Sequence, residues 1–501
     1  MSPIDWAIIA TFLLLVLGIG TWWSRKERSA SDFYLASRRM PVLAAAASVV
    51  ATSLSVVTFL GAPEDAYAGN LTYLMTNLGT TIAIVVVALW FVPAYYKHNV
   101  TTVYELLGTR YSPTAQRAAS VMFLLGRTLA SGVRLYLAAL PTSYVLFGDI
   151  ANAHVIASVC LVAGVACVYT MLGGIGAVIW TDSLQLLIVA GSAIACIVIL
   201  LQHIDMPLQD IVTALKDSIT SDGTPKLTLI DLRLDPQVTF SLWSCLIGFT
   251  LIGVAAYGTD HDVAQRMLTC RDAKRGQWAT LISQVISVSV VSIFLVLGLL
   301  LYMWYSMQSA QEAPDDTREV LLRFILDEVP VGLKGLMLAG IFAAAMSSLD
   351  SALNAMSAVF TRDVLGNTDP DRRGVKLARL GVVHVSVILT IAACSFVFLQ
   401  EQSKESIIPF AVSVMTYAHS GLLGVFTCAL FTRRGNTISV LGAFVSGLVV
   451  ASLTQYALTD ATGVPLLSVG WRMTAASLAA FLVCLLGSPN VRAETAIAPD
   501  S

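Results

Sequence analysis

Charge is what this sequence is short of. Of its 501 residues only 12% are Asp, Glu, Lys or Arg, about half the share of an ordinary soluble protein. With 56% hydrophobic residues and a mean hydropathy of +0.76, that deficit excludes a disordered chain, a nucleic-acid binder and most soluble enzymes. An excess of either sign is missing too: 30 Lys+Arg stand against 32 Asp+Glu, so no polyacidic or polybasic partner is implied. There is no CxxC spacing. The eight cysteines are scattered, with Cys160, Cys167, Cys196 and Cys394 in apolar stretches, which reads as packing rather than disulfides or metal. Histidine is scarce, six in all and widely spread. No nucleophile–base arrangement and no nucleotide-binding loop is found, so an enzyme is not expected.

Long apolar runs are what the chain has in abundance. A membrane crossing needs about 20 mainly apolar residues, and thirteen segments qualify. They lie near 4–23, 41–62, 72–96, 118–147, 153–172, 183–202, 239–258, 279–305, 331–360, 379–399, 407–430, 437–458 and 466–487. The first is not a secretory signal, because Asp5 precedes it and the basic Arg25-Lys26-Glu27-Arg28 follows it, the reverse of a signal's flanks. The expected class is an all-α integral membrane protein of about 13 transmembrane helices.

The remaining charges give the orientation. With alternate segments assigned to the cytoplasm (24–40, 97–117, 259–278, 361–379, 431–436 and 488–501), 20 of the 30 Lys/Arg fall inside. Eight fall outside and two, Arg127 and Arg134, lie mid-membrane. The segment 306–330 is acidic (Glu312, Asp315, Asp316, Glu319, Asp327, Glu328) and reads as exterior. The positive-inside rule then places the amino end outside and the carboxyl end in the cytoplasm. The longest extramembrane stretch, 203–238, carries Pro207, Gly223, Pro225 and Pro236 and reads as a structured exterior loop, while 488–501 reads as a disordered tail.

Function should lie where the apolar pattern breaks. Ala51-Thr52-Ser53-Leu54-Ser55-Val56-Val57-Thr58 puts four hydroxyls into eight residues of the second span, with Gly61 and Pro63 behind them. Hydroxyls satisfy backbone groups freed by a helix break, and the unwound carbonyls suit a cation. Small-residue helix packing explains the same run and stays open beside that reading. In the ninth span Ala344, Ser347, Ser348 and Ser351 recur at i, i+3, i+4 and i+7, one small polar stripe, with Asp350 at its edge. Oxygen ligands without soft nitrogen or sulfur favour a hard cation.

Three more charges sit at membrane depth. Asp182 follows the glycine-rich Gly173-Gly174-Ile175-Gly176 and opens the sixth span, as a helix cap or as a buried functional carboxylate. Arg127 and Arg134 are seven apart, on one helix face and roughly 10 Å apart along the axis. Each costs about 2.5–3.5 kcal/mol at a helix centre. Pairing with Asp350 or Asp182 is one reading, and a substrate carboxylate met by the guanidinium fork is the other.

Together these pieces resemble the sodium:solute symporter family over nearly the whole chain. The resemblance rests on Ala-Ala-Ala-Met-Ser-Ser-Leu-Asp-Ser (343–351), on Tyr169-Thr170 through Gly173-Gly174-Ile175 to Trp180-Thr181-Asp182, and on Gly258-Thr259-Asp260-His261-Asp262-Val263-Ala264-Gln265-Arg266, in that relation to one another. It implies the LeuT-type fold, a 5+5 inverted repeat. The boundaries would be a peripheral helix and basic loop (1–40), a first five-helix repeat (41–202), the exterior loop (203–238), a second repeat (239–430), two peripheral helices (431–487) and the tail.

The resemblance also implies a sodium site made by the backbone carbonyls of Ala51, Leu54 and Ala344 and the hydroxyls of Ser347 and Ser348. A second cation position would involve Asp182, Asp350 and Ser351, where Asp350 departs from the hydroxyl of sialic acid carriers. The substrate would meet Ser53, Ser55, Thr58, Tyr73, Asn77, Arg134 and Arg127. The carboxylate-binding arginine of the sialic acid carriers aligns with Ala130, one turn from both arginines, and Arg134 is preferred because it is nearer the polar turn Ser131-Gly132. The absence of Lys from 279–305 speaks against a galactose-like site. Asp260 and His419 are read as structural rather than ligating.

The expectation is therefore a sodium-coupled secondary active symporter in the cell membrane. It would import a small organic solute, carboxylate-bearing, with sodium as coupling ion and with no nucleic acid or obligate protein partner. A sugar or amino-acid symporter and a proton-coupled carrier are the alternatives, with a membrane sensor or channel as the non-transport reading.

Overall fold

The computed structural model describes residues 1–24, 29–308, 316–366, 372–399, 407–461 and 463–488. Of the charges that set the expected orientation, Arg25, Lys26, Arg28, Glu312, Asp315 and Lys404 lie outside the described residues, as do residues 489–501 of the tail. Apart from two isolated bridges, Ile219–Pro225 and Thr459–Pro465, every regular element among the described residues is helical.

The membrane elements run α1 (Pro3–Ser24), α2 (Val42–Ser53), α3 (Val56–Ala68), α4 (Thr72–Lys97), α5 (Pro113–Phe147) and α6 (Asn152–Ile204) in the first half. The second half has α7 (Ser244–Thr259), α8 (His261–Leu268), α9 (Ala273–Met307), α10 (Leu333–Val364), α11 (Arg373–Phe398), α12 (Ile407–Phe431), α13 (Thr437–Ala457) and α14 (Val469–Leu485). Among the described residues eight helices are long and apolar enough to cross a bilayer, and α2 with α3, bent by 63°, makes a ninth. The apolar stretches in α7, α12 and α14 are shorter.

The spans expected at 153–172 and 183–202 are the two arms of α6, whose 53 residues exceed what one 30 Å crossing needs. The element is divided at Gly174, whose φ of 49° and ψ of −162° only glycine adopts without strain. The glycine-rich stretch thus joins two helical arms, as the tight connection expected between the fifth and sixth spans. Asp182 falls eight residues beyond it, inside the second arm, so the cap reading does not hold.

The helix α10 lies at the centre: 89% of its apolar stretch is buried within the protein, against 28% of that in α1. Its approach to α6 is set by Gly340, where an added Cβ would lie 2.5 Å from the Ser192 hydroxyl. That close contact carries Ser347 to Ser351 down beside Asp182. The segment 203–238 folds around a helix at Leu208–Asp217 and is pinned by Lys226, only 1% exposed, whose ammonium donates to the Tyr67 carbonyl and lies 4.0 Å from the centre of the Tyr302 ring.

Candidate functional site

The helix α2 stops because its hydroxyls compete for its own backbone. Thr52 Oγ1 donates to the Ser48 carbonyl and Ser53 Oγ to the Val50 carbonyl, both at 2.8 Å. The chain leaves the helix at Leu54 (φ −80°, ψ 103°), and Ser55, fully extended, caps α3 by accepting from the Val57 N–H at 3.2 Å. The last carbonyls of a helix have no partner ahead of them. Here α10 reaches two of them: Ser347 Oγ donates to the Ala51 carbonyl at 2.5 Å, and Ser348 Oγ to the Thr52 carbonyl at 3.5 Å. Ala344 is buried one turn earlier on α10. The structure thus brings Ala51, Ser347 and Ser348 together, with Leu54 at the break and Ala344 on the same stripe. This all-oxygen donor set fits a hard cation.

The second group converges on an arginine. Asp182 accepts from Ser48 Oγ at 2.5 Å and faces Arg266 Nη2 at 3.8 Å. The same guanidinium donates to Ser351 Oγ, which lies 3.0 Å from Thr52 Oγ1. Asp350 accepts from the Tyr169 hydroxyl at 2.8 Å and from Ser351 at 3.3 Å. Asp182 Oδ1 is buried without a hydrogen-bond partner among the described residues.

A second broken helix faces the first. Between α7 and α8 the backbone opens at Asp260 (φ −82°, ψ 116°), whose carboxylate caps α8 through the Asp262 N–H at 3.0 Å. All eight residues of α8 are buried. Residues 261–268 are therefore not a cytoplasmic loop as expected, and Arg266 is no topological marker. The pairing of Arg127 is also corrected. It binds neither Asp182 nor Asp350: Nη1 donates to Asp260 Oδ2 at 3.0 Å and Nη2 to Asp262 Oδ2. His419 Nε2 meets the same Asp260 oxygen at 3.1 Å.

Arg134 stands two turns from Arg127 on the same face of α5, half-buried. Of the other residues expected at the substrate, Ser53 and Ser55 spend their hydroxyls on the break itself, and Thr58 follows it in the first turn of α3. Tyr73 packs edge-on against Phe240, ring centres 5.3 Å apart, and Asn77 is half-buried with its carbonyl held by Gln284.

Sequence reasoning missed the break at Asp260 and the burial of Arg266, together with the partners Ser48, Thr52 and Tyr169. A signal existed: Asp260 two residues before Asp262, directly after an apolar run, is an N-cap pattern inside a membrane segment, and Asp262 and Arg266 stand at i, i+4.

Comparison with known proteins fits this geometry. Over 99% of both chains the fold matches a Na+-coupled sialic acid symporter in a substrate-bound outward-open state, with a TM-score of 0.85 at 23% identity. Mhp1, a nucleobase-cation-symport-1 family transporter, matches with a TM-score of 0.57 at 13% identity, as expected of a LeuT-type architecture. In sequence the chain is 28% identical over 460 residues to the human sodium/iodide cotransporter, covering 89% of this chain and 69% of that one. It is 27% identical over 464 residues to the sodium/sialic acid symporter SiaT of Proteus mirabilis, covering 90% of each. The model of the sodium:solute symporter family matches residues 33–449, most of the chain. This multi-pass membrane protein belongs to the sodium:solute symporter family.

Proposed function

We propose that the protein imports a small carboxylate-bearing solute by alternating access, driven by one sodium ion held between α2 and α10. The observation that carries this reading is the meeting of Ser347 and Ser348 with the unpartnered carbonyls at the α2 break. Sodium there ties the broken helix to the central one, and coupling follows if the ion binds the outward-facing form more tightly than the inward-facing one. At the second cation position, among Asp182, Asp350 and Ser351, the guanidinium of Arg266 supplies the positive charge.

In this reading Arg134, on the same face of α5 as Arg127 and two turns towards Phe147, is the arginine that meets the substrate carboxylate. The relatives named for iodide and sialic acid carry anions as well. In this reading the two broken pairs, α2–α3 and α7–α8, are the corresponding first helices of the two five-helix repeats. Counting α6 as two arms, α2–α3 as one span and the three shorter apolar helices as crossings gives thirteen, with the amino end outside and the carboxyl end cytoplasmic.

The test is uptake into proteoliposomes under imposed sodium or proton gradients, across a panel of carboxylates, sugars, amino acids and iodide. Accumulation of a carboxylate that follows the sodium gradient is expected. An accepted substrate that ignores sodium overturns the coupling.

A further inference from the structure

Six side chains form a ladder of alternating charge between the two helix breaks. It begins at Asp182, which is held by Ser48 and lies beside Ser347. Arg266 stands 3.8 Å from Asp182 and donates to Asp262 Oδ1 at 3.0 Å. Asp262 Oδ2 accepts from Arg127, Arg127 donates to Asp260 at 3.0 Å, and His419 closes on Asp260 at 3.1 Å. No rung is more than 5% exposed.

The rungs come from different elements. Asp182 is on α6, Arg266 and Asp262 on α8, Arg127 on α5, Asp260 at the α7–α8 break and His419 on α12. In a dry interior each charge depends on its neighbours, because moving one leaves the next buried and unpaired. The α8 segment is only eight residues long and bounded by the Asp260 break, so it can shift as a piece. A cation arriving beside Ser347 competes with Arg266 for Asp182. The guanidinium then draws closer to Asp262, and Asp262 loosens its hold on Arg127, which turns further to Asp260.

We infer that Asp262 and Arg266 are positioning residues that carry the presence of sodium from the α2 break to the α7–α8 break. This rests on the sodium site proposed above. The coupling is reciprocal, as linkage requires, so occupancy at the second break strengthens sodium binding at the first by the same factor.

Hydrogen–deuterium exchange of the full-length protein tests this with sodium alone as the probe, in sodium chloride against potassium chloride. In the unaltered protein sodium slows exchange at residues 52–57 and also at 258–262. Asp262→Asn keeps the slowing at 52–57 and loses it at 258–262, and Asp262→Glu, which restores the charge, recovers it. Arg266→Lys, which keeps the charge but not the fork, provides the same readout if Asp262→Asn does not yield folded protein. A sodium response at 258–262 that survives these substitutions, or that is absent from the unaltered protein while 52–57 responds, overturns the ladder. No response at either segment in the unaltered protein overturns the sodium site itself.

Discussion

The Ser347 hydroxyl donates a 2.5 Å hydrogen bond to the carbonyl of Ala51, across 296 residues of sequence. It joins the middle of α10, the most buried of the candidate membrane spans among the described residues, to the carbonyl end of a helix that stops inside the protein. A helix end buried in apolar surroundings must find partners. Here the partner is a hydroxyl that can turn its proton away and offer oxygen instead, which lets a cation replace the hydrogen bond.

Ser347→Ala removes one of those oxygens without changing the helix. Losing one ligand at about 1.4 kcal/mol raises the sodium concentration for half-maximal uptake roughly tenfold. A sodium titration of transport in proteoliposomes measures it, and an unchanged value removes Ser347 from the site.

The two arginines of α5 should separate by assay. Arg134→Ala weakens half-saturation for a carboxylate by about 1.5–3 kcal/mol, the size of a charge-assisted hydrogen bond, and leaves a neutral analogue nearly unaffected. Arg127→Ala removes one of the two charged partners of Asp260 and of Asp262 and lowers stability by roughly 3–5 kcal/mol, as breaking a buried pair does. Thermal unfolding of both variants beside competitive uptake distinguishes them, and equal losses for both substrates in Arg134→Ala would make that arginine structural.

Gly174→Ala puts a Cβ on a backbone at φ 49° and ψ −162°. The expected cost is roughly 1–3 kcal/mol, because no other residue adopts that conformation freely. A melting temperature equal to that of the unaltered protein would show that the kink relaxes without strain.

Lys226 gives a pH dependence. Burial pushes its ammonium down from the usual 10.5 to about 8, against the pull of the nearby Asp65 carboxylate. Between those two values the folded protein has released a proton that the unfolded chain still holds, so stability rises with pH across the window. Below it the full cost of the buried charge is present. Lys226→Met should flatten that rise, seen as a pH-dependent difference in melting temperature between variant and unaltered protein. A constant difference would mean that Lys226 does not titrate there.

The membrane class, the hydroxyl run that made the second span a candidate for a break and the polar stripe of α10 follow from the sequence by itself. Each is local: apolar runs long enough to cross a bilayer, four hydroxyls within Ala51–Thr58, and serines spaced at helical intervals from Ser347 to Ser351. Local patterns are legible because the bilayer forces every backbone group to be satisfied within its own segment or by an identifiable neighbour. Which charges meet was decided only by tertiary structure. Arg127 and Arg266 are 139 positions apart in sequence yet share Asp262, and Arg266 stands outside every expected span although it is wholly buried. An ion pair in the interior depends on which helices pack together, and the second arm of α6, beyond the break at Gly174, carries Asp182 to Arg266.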